Sequence, residues 1–302
     1  MFIMMNAARL SCGNQGLAQA ELAYQSAAAY ALERKQGRAA GSTASADPLI
    51  VHPDVRRMLM DARTFTEGMR ALVAWTALQI DVSHRAASED ERAAADALVG
   101  FLTPVIKGFG TDKGFEAAVA MQQCFGGHGY IAEYGMEQIV RDARVPMIYE
   151  GANGVQALDL AARKLARDNG QVAERFLALA EAACDDADAS VRFIAVPLRE
   201  AVHEAREAIR FLVTAAKSEP DALGAGSYAF MHLVGTLALG WMWLRMAEIA
   251  AGRETDPFYA AKLATARFYA ERWLPDCANF TRKIESGSAA MMALAPEQFL
   301  RG

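Results

Sequence analysis

The chain is 302 residues long, 53% hydrophobic and 22% charged, with a formal net charge of −5 at pH 7. That length carries one large domain or two ordinary ones and needs no disulfide staples, and the composition excludes an intrinsically disordered chain. The acidic balance excludes a general nucleic-acid binder, which needs a basic surface to displace counterions.

The cysteines, Cys12, Cys124, Cys184 and Cys277, lie far apart, as expected of reduced thiols in a cytoplasmic protein. Neither they nor the scattered histidines fall at metal-ligand spacing, so no metal is expected. The opening MFIMMNAARL has no basic n-region and no cleavage pattern, which reads as no secretory signal.

Residues 4–36 show Ala/Leu/Tyr periodicity without Pro and predict a helix. A loop, GRAAGSTASAD, follows. Pro53 suits a first helical turn, where its missing N–H is not needed. From there Val55, Met58, Leu59, Phe65, Met69, Leu72, Val73 and Leu78 recur at helical spacing. The segment HRAASEDERAAA marks a break and a new start. Helix then runs to about Gln123, where Gly126-Gly127-His128-Gly129 stops it. Short helices are expected over 133–144 and 153–167.

After Asn169-Gly170 the pattern predicts helices near 171–185, 189–216, 222–251 and 256–284. The uncharged stretch between Asp221 and Arg245 is marginal in length for a membrane span. Its Ser227, His232, Thr236 and glycines favour a helix buried in a bundle core, so no span is expected. No β-branched alternation is long enough for a sheet. The expectation is an all-α protein of two helical domains, 1–169 and 170–302.

The segment QQCFGGHGYIAEYGMEQIVRDARVPMIYEGANGVQ is the most informative. Glu150 follows Met147, Ile148 and Tyr149, which predicts an apolar setting. Burial raises a carboxylate's pKa and suits it to abstract a proton beside a carbonyl. Gly151 lets a ligand approach the main chain. On chemistry alone, a surface Glu beside a loop remains the commoner reading.

This segment resembles the C-terminal helical domain of the flavin-dependent acyl-CoA dehydrogenases. The likeness lies in Gln123-Cys-Phe-Gly126-Gly127-His-Gly129, Arg141-Asp142-Ala143 and Ile148-Tyr149-Glu150-Gly151, with Tyr30-Ala-Leu-Glu-Arg34 on the first helix. It covers about residues 3–168. The rest is similar to the extra C-terminal domain of larger members, which include 3-methylmercaptopropionyl-CoA dehydrogenases.

The resemblance implies an acyl-CoA substrate, FAD, and Glu150 as the base that removes the α-proton while the β-hydrogen leaves as hydride. The alternative base position on the first helix is Ala8, which cannot serve. By the same matching, Asn6, Arg9 and Gly151 fall on the substrate side. Arg34, Gln36, His52, Gln123, Gly126, Gly127 and Asn153 fall on the cofactor side, with the Gln123–Gly127 turn reaching the adenine of a neighbouring subunit. His52 is equally a residue leading into the helix at Pro53. Arg34 has the alternative of a helix-surface ion pair. Arg141-Asp142 is expected to be a structural ion pair.

The resemblance further implies a homo-oligomer and electron-transfer flavoprotein as acceptor. Ala152 and Gly154 depart from the family's side chains that bond flavin. The family's N-terminal helical and middle β-domains have no counterpart here, so the chain alone is expected to bind FAD weakly and turn over little. A non-catalytic helical interaction module and an acyl-CoA oxidase piece are the alternatives.

Overall fold

The computed structural model describes residues 2–300 and is all-α, with no strand among the described residues. Its long helices are α1 (Phe2–Glu33), α2 (Pro53–Arg85) and α3 (Glu89–Cys124). A short α4 (Met136–Arg144) and α5 (Asn153–Leu158) follow. Then come α6 (Gln171–Asp186), α7 (Arg192–Ser218), α8 (Pro220–Ala250), α9 (Pro257–Arg272) and α10 (Asp276–Glu285). Contacts divide the chain into two units: residues 1–75 with 106–153, and residues 76–105 with 154–302.

In the first unit, α1 presents Ala20, Ala23, Ala27 and Ala31, all fully buried, at spacings of three and four residues. Side chains that small let neighbouring backbones come close. The backbones approach closely between α1 and α3. A Cβ on Gly13 would stand 2.5 Å from the Ile106 side chain, and one on Gly114 would stand 2.5 Å from the Gly16 carbonyl oxygen. Glycine is therefore required there by contact, not by backbone angle.

Helix α1 ends at Glu33, earlier than the periodicity suggests. Residues 34–37 instead bond the loop: Leu49 N–H donates to Arg34 O at 2.8 Å, and Gln36 N–H to Asp47 O at 3.0 Å. Helix α4 starts at Met136, later than expected, because Gly135 takes a left-handed φ of 70° and ends the preceding turn.

In the second unit, α8 packs against α6, α7, α9 and α10. Phe230, Leu233, Leu237, Trp243 and Leu244 are fully buried along it. Its length and hydropathy match a membrane span, as do those of α3, but the apolar surface of α8 is used inside this bundle. Helix α5 runs on through a π turn at Asp159–Leu165 and a tight turn at Ala166–Asp168. It stops where Asn169 (φ 53°) and Gly170 (φ 82°) are both left-handed. The single helix expected over 256–284 is two helices. Pro275 has no N–H to continue the ladder, and Trp273-Leu274-Pro275 forms the break between α9 and α10.

Candidate active site

Close contact between α1 and α3 brings the side chains around Lys107 together. Lys107 is fully buried on α3. Its Nζ donates to the Gly151 carbonyl at 2.7 Å and to Asn153 Oδ1 at 2.8 Å. Asn153 Nδ2 donates in turn to Gly108 O at 3.1 Å, Thr111 Oγ1 at 2.9 Å and Asp112 Oδ1 at 2.7 Å. Thr111 and Asp112 are also buried. A buried charge needs such partners, because desolvation without them is costly. Burial pushes the Lys107 ammonium down to about 8. Cys12, Asp112 and Glu150 pull it back up, and Arg9 pushes it further down.

Glu150 precedes the carbonyl that Lys107 grips. Both residues of the turn are left-handed, with φ of 54° at Glu150 and 86° at Gly151. Such a backbone is ordinary for Gly and strained for Glu. The apolar burial expected for Glu150 is not found. Glu150 is exposed, as are Ile148 and Tyr149. Apolar neighbours in sequence do not cover a side chain when they are themselves exposed, as Ile148 and Tyr149 are. Tyr149 donates its hydroxyl to Gln15 on α1 and also meets Cys12. Burial raises the Cys12 thiol above its ordinary range, and the Tyr149 phenol likewise.

Arg9 and Asn6, on the first turns of α1, are half-buried. Arg9 lies close enough to Lys107 to influence its charge, and so do Cys12 and Glu150. Asn153 carries a different burden from the one expected. Its amide is committed to Lys107 and α3 instead of being presented to a cofactor. The Arg141–Asp142 ion pair is also absent among the described residues. Sequence neighbours on a helix point about 100° apart, and Asp142 accepts from Gln138 Nε2 at 2.7 Å instead.

A separate pocket of 450 Å³ opens where the ends of α1 and α3 meet the start of α2. That volume lies within the range of roughly 300–1,000 Å³ common to small-molecule sites. Arg34, Gln36, Gln123, Gly126 and Gly127 line it together with Tyr30 and His128. Glu150 does not. Among the described residues no carboxylate pairs with Arg34, so the helix-surface ion pair is not formed. A Cβ on Gly126 or Gly127 would meet nothing within 4 Å. The chain's own packing therefore does not demand bare backbone at Gly127. Gly129 differs: a Cβ there would stand 2.5 Å from the Gln122 carbonyl oxygen.

His52 braces the pocket's edge. Its Nε2 lies 2.8 Å from the Gln36 carbonyl oxygen, which only accepts, so Nε2 carries the proton. Tyr30 and His128 were named from sequence only as parts of motifs, with no site role, and Lys107 was not named. Tyr30 O–H bonds His128 Nδ1 at 2.8 Å, and its ring stacks on Phe125 at 4.1 Å. The signal for Lys107 was a lone lysine between Ile106 and Gly108 in an otherwise uncharged run of α3.

Residues 3–165 match the family described as "Acyl-CoA dehydrogenase, C-terminal domain". Residues 170–295 match "Acetyl-CoA dehydrogenase C-terminal like". The chain is 41% identical over 303 residues to the 3-methylmercaptopropionyl-CoA dehydrogenase of Ruegeria pomeroyi, covering 97% of this chain and 51% of that protein. It is 30% identical over 321 residues to a broad-specificity linear acyl-CoA dehydrogenase of Mycobacterium tuberculosis, covering 99% of this chain and 52% of that protein. The crystal structure of an acyl-CoA dehydrogenase complexed with FAD from Bacillus anthracis has the same fold. Its TM-score is 0.73 at 19% identity, over 94% of this chain and 49% of that chain. The chain spans about half the length of the curated relatives it matches.

Proposed function

The chain belongs to the acyl-CoA dehydrogenase family, and from that premise we propose that it carries the proton-abstracting half of an FAD-dependent acyl-CoA dehydrogenase site. The observation that carries this reading is Glu150 itself. A non-glycine residue stands exposed at a φ of 54°, on a turn fixed from below by a buried ammonium. Strain of about 1–3 kcal/mol persists only where the surroundings impose it, and such residues cluster at active sites.

FAD, when bound, supplies the hydride acceptor for the substrate's β-hydrogen. The residues present fit its phosphate-bearing and adenosine portions. Arg34 offers an unpaired guanidinium fork to phosphate. Gln36 and Gln123 offer polar side chains, and Gly126-Gly127 offers open backbone.

Glu150 takes the α-proton of the acyl-CoA thioester, and the substrate leaves as the α,β-unsaturated thioester. The base needs a desolvated setting at that moment. In this reading, the portion of the relatives that this chain does not span covers the exposed Ile148–Glu150 turn and completes that setting. Electron-transfer flavoprotein takes up the electrons, with second copies of the chain completing the adenosine site. Alone, the chain turns over negligibly, because the reacting groups must be held together.

The test fuses the chain to the N-terminal half of the Ruegeria relative. It then assays acyl-CoA-dependent dye reduction for the native sequence and for Glu150→Gln. Activity lost in the variant supports the reading, and a colourless, inactive fusion rejects it. Oxygen consumption without an added acceptor would point to an oxidase instead. The exposure of Glu150 favours one second reading, a non-catalytic helical partner. A stable but unreactive complex is its signature.

A further inference from the structure

We propose that Lys107 is the positioning residue of the Glu150–Gly151 turn: by gripping the Gly151 carbonyl from inside α3, its ammonium fixes the direction in which the Glu150 carboxyl is presented. The role for Glu150 rests on the reading above; the grip on the turn does not.

Three features converge on this assignment. First, the contact is direct, with Nζ 2.7 Å from Gly151 O. Second, the donor has little freedom. Lys107 is fully buried, and its second bond, to Asn153 Oδ1 at 2.8 Å, leads to an amide that is itself tied to Gly108, Thr111 and Asp112. The ammonium thus joins the rigid body of α3 to the peptide after Glu150. Third, the backbone at Glu150 is in a region that a side chain disfavours. Something must hold it there, and no regular hydrogen-bond ladder does, since the turn lies between the tight turn Val145–Met147 and α5.

A neutral pair of bonds would have met the same geometry at lower desolvation cost. A charged donor gives the shorter, stronger bond. It also ties the turn to the local charge. The groups that face the ammonium are Arg9 and Cys12 on α1, Asp112 on α3 and Glu150 on the turn. Deprotonation of Lys107 would remove the charge-assisted grip, and the turn would loosen. With the ammonium lowered to about 8, that change falls at an accessible pH.

The experiment uses the full chain, uniformly ¹⁵N-labelled, titrated across the range around pH 8. A hydrogen bond to a carbonyl polarises the next amide in the chain, so Ala152 N–H reports the Gly151 contact directly. The amides of Glu150, Gly151 and Ala152 are expected to shift together with a midpoint close to that of Lys107. In Lys107→Gln, which keeps a neutral donor, they should hold native-like positions but lose the inflection. Amides that stay flat in the native chain overturn the proposal, and so does an inflection that persists in Lys107→Gln.

Should Lys107→Gln fail to fold, Asn153→Ser serves. It removes one acceptor from the ammonium and leaves the Gly151 contact, so the same three amides should titrate at lower pH. An unmoved midpoint overturns the assignment.

In the fusion enzyme, Lys107→Gln is expected to lower kcat by about tenfold to a hundredfold, the cost of small misplacement of a reacting group, with KM within about twofold. An unchanged kcat overturns the role in presenting Glu150. Full turnover in Glu150→Gln would instead remove Glu150's role as the base, and the amide titration would still decide the grip.

Discussion

Around Lys107 the polar groups answer one another inside the chain, whereas around Arg34 they face outward. The first set is buried, and each member bonds a neighbour within 3.1 Å. The second lines an open pocket, with a guanidinium that meets no carboxylate and glycines that meet no side chain. The difference separates two roles that a list of polar residues would merge. A closed network sets geometry and contributes to stability. An open one leaves its bonds for a ligand. Substitutions on the two sides should therefore part company, the first changing folding and the second changing binding.

The largest effect tests what the closed network presents. In the fusion enzyme, Glu150→Gln should lower turnover roughly 10²–10⁴-fold, the usual worth of a general base. Steady-state rates and a melting curve taken together check this. The melting temperature should not fall, because glutamine keeps the side chain's size and an amide is less costly than a carboxylate to bury under the added half. A fall in stability as large as the fall in rate would mean that the residue is structural.

Next in size is the contrast itself. Asn153→Ala strips a buried ammonium of one acceptor and leaves Asp112 without its amide donor. It should cost about 2–4 kcal/mol, read by urea unfolding. Arg34→Ala should stay within about 0.5 kcal/mol yet weaken ADP binding, read by calorimetry, with an affinity that falls as salt rises. Equal destabilisation by the two variants would abolish the distinction.

Much of this was legible in the sequence, for identifiable reasons. Helical periodicity revealed the long elements because their apolar stripes are local in sequence. The Gly126–Gly129 stop and the Asn169-Gly170 break were legible because left-handed backbone favours those residues. The pocket residues Arg34, Gln36, Gln123, Gly126 and Gly127 were named together from motif resemblance and do line one cavity.

What sequence concealed was three-dimensional. Lys107 lies 43 residues before Glu150 by the numbering, and only the glycine-mediated contact of α1 with α3 shows why a lysine there is enclosed. The exposure of Glu150 was hidden for the opposite reason. Three apolar neighbours in sequence suggest burial, but two of them, Ile148 and Tyr149, are themselves exposed and cover nothing. The break at Trp273–Pro275 was missed because apolar periodicity resumes with nearly the same phase beyond it.

A smaller effect comes from two glycines two positions apart. Gly129→Ala forces a Cβ to 2.5 Å from the Gln122 carbonyl oxygen and should cost about 1–3 kcal/mol. Gly127→Ala meets no atom within 4 Å and has no positive φ to lose. Stability should hold or rise slightly, while ADP affinity drops. Urea unfolding and calorimetry on both variants separate these outcomes. A loss of stability in Gly127→Ala would reassign that glycine from the open side to the folded core.

The smallest effect is a pH dependence whose sign follows from the buried ammonium. Lys107 falls from an ordinary 10.5 to about 8 in the folded chain. Below pH 8 both states hold the proton and the cost of burial is fully present. Between the two values the unfolded chain binds more protons, so stability rises with pH. The four buried thiols oppose this later, Cys12 and Cys277 being raised by burial as well. Burial pushes Cys124 and Cys184 from 9.0 up to about 11, so their contribution is lost as pH rises through that range. The clean window is therefore pH 8 to 9. Lys107→Met keeps an apolar stem of similar length without the charge. Unfolding free energies of the native chain and of this variant should draw apart across the window, the native gaining relative to the variant. The gain is bounded by about 1.4 kcal/mol per pH unit for a single proton. A constant difference would mean that Lys107 keeps its proton through the window, and that the closed network bonds the ammonium more strongly than burial opposes it.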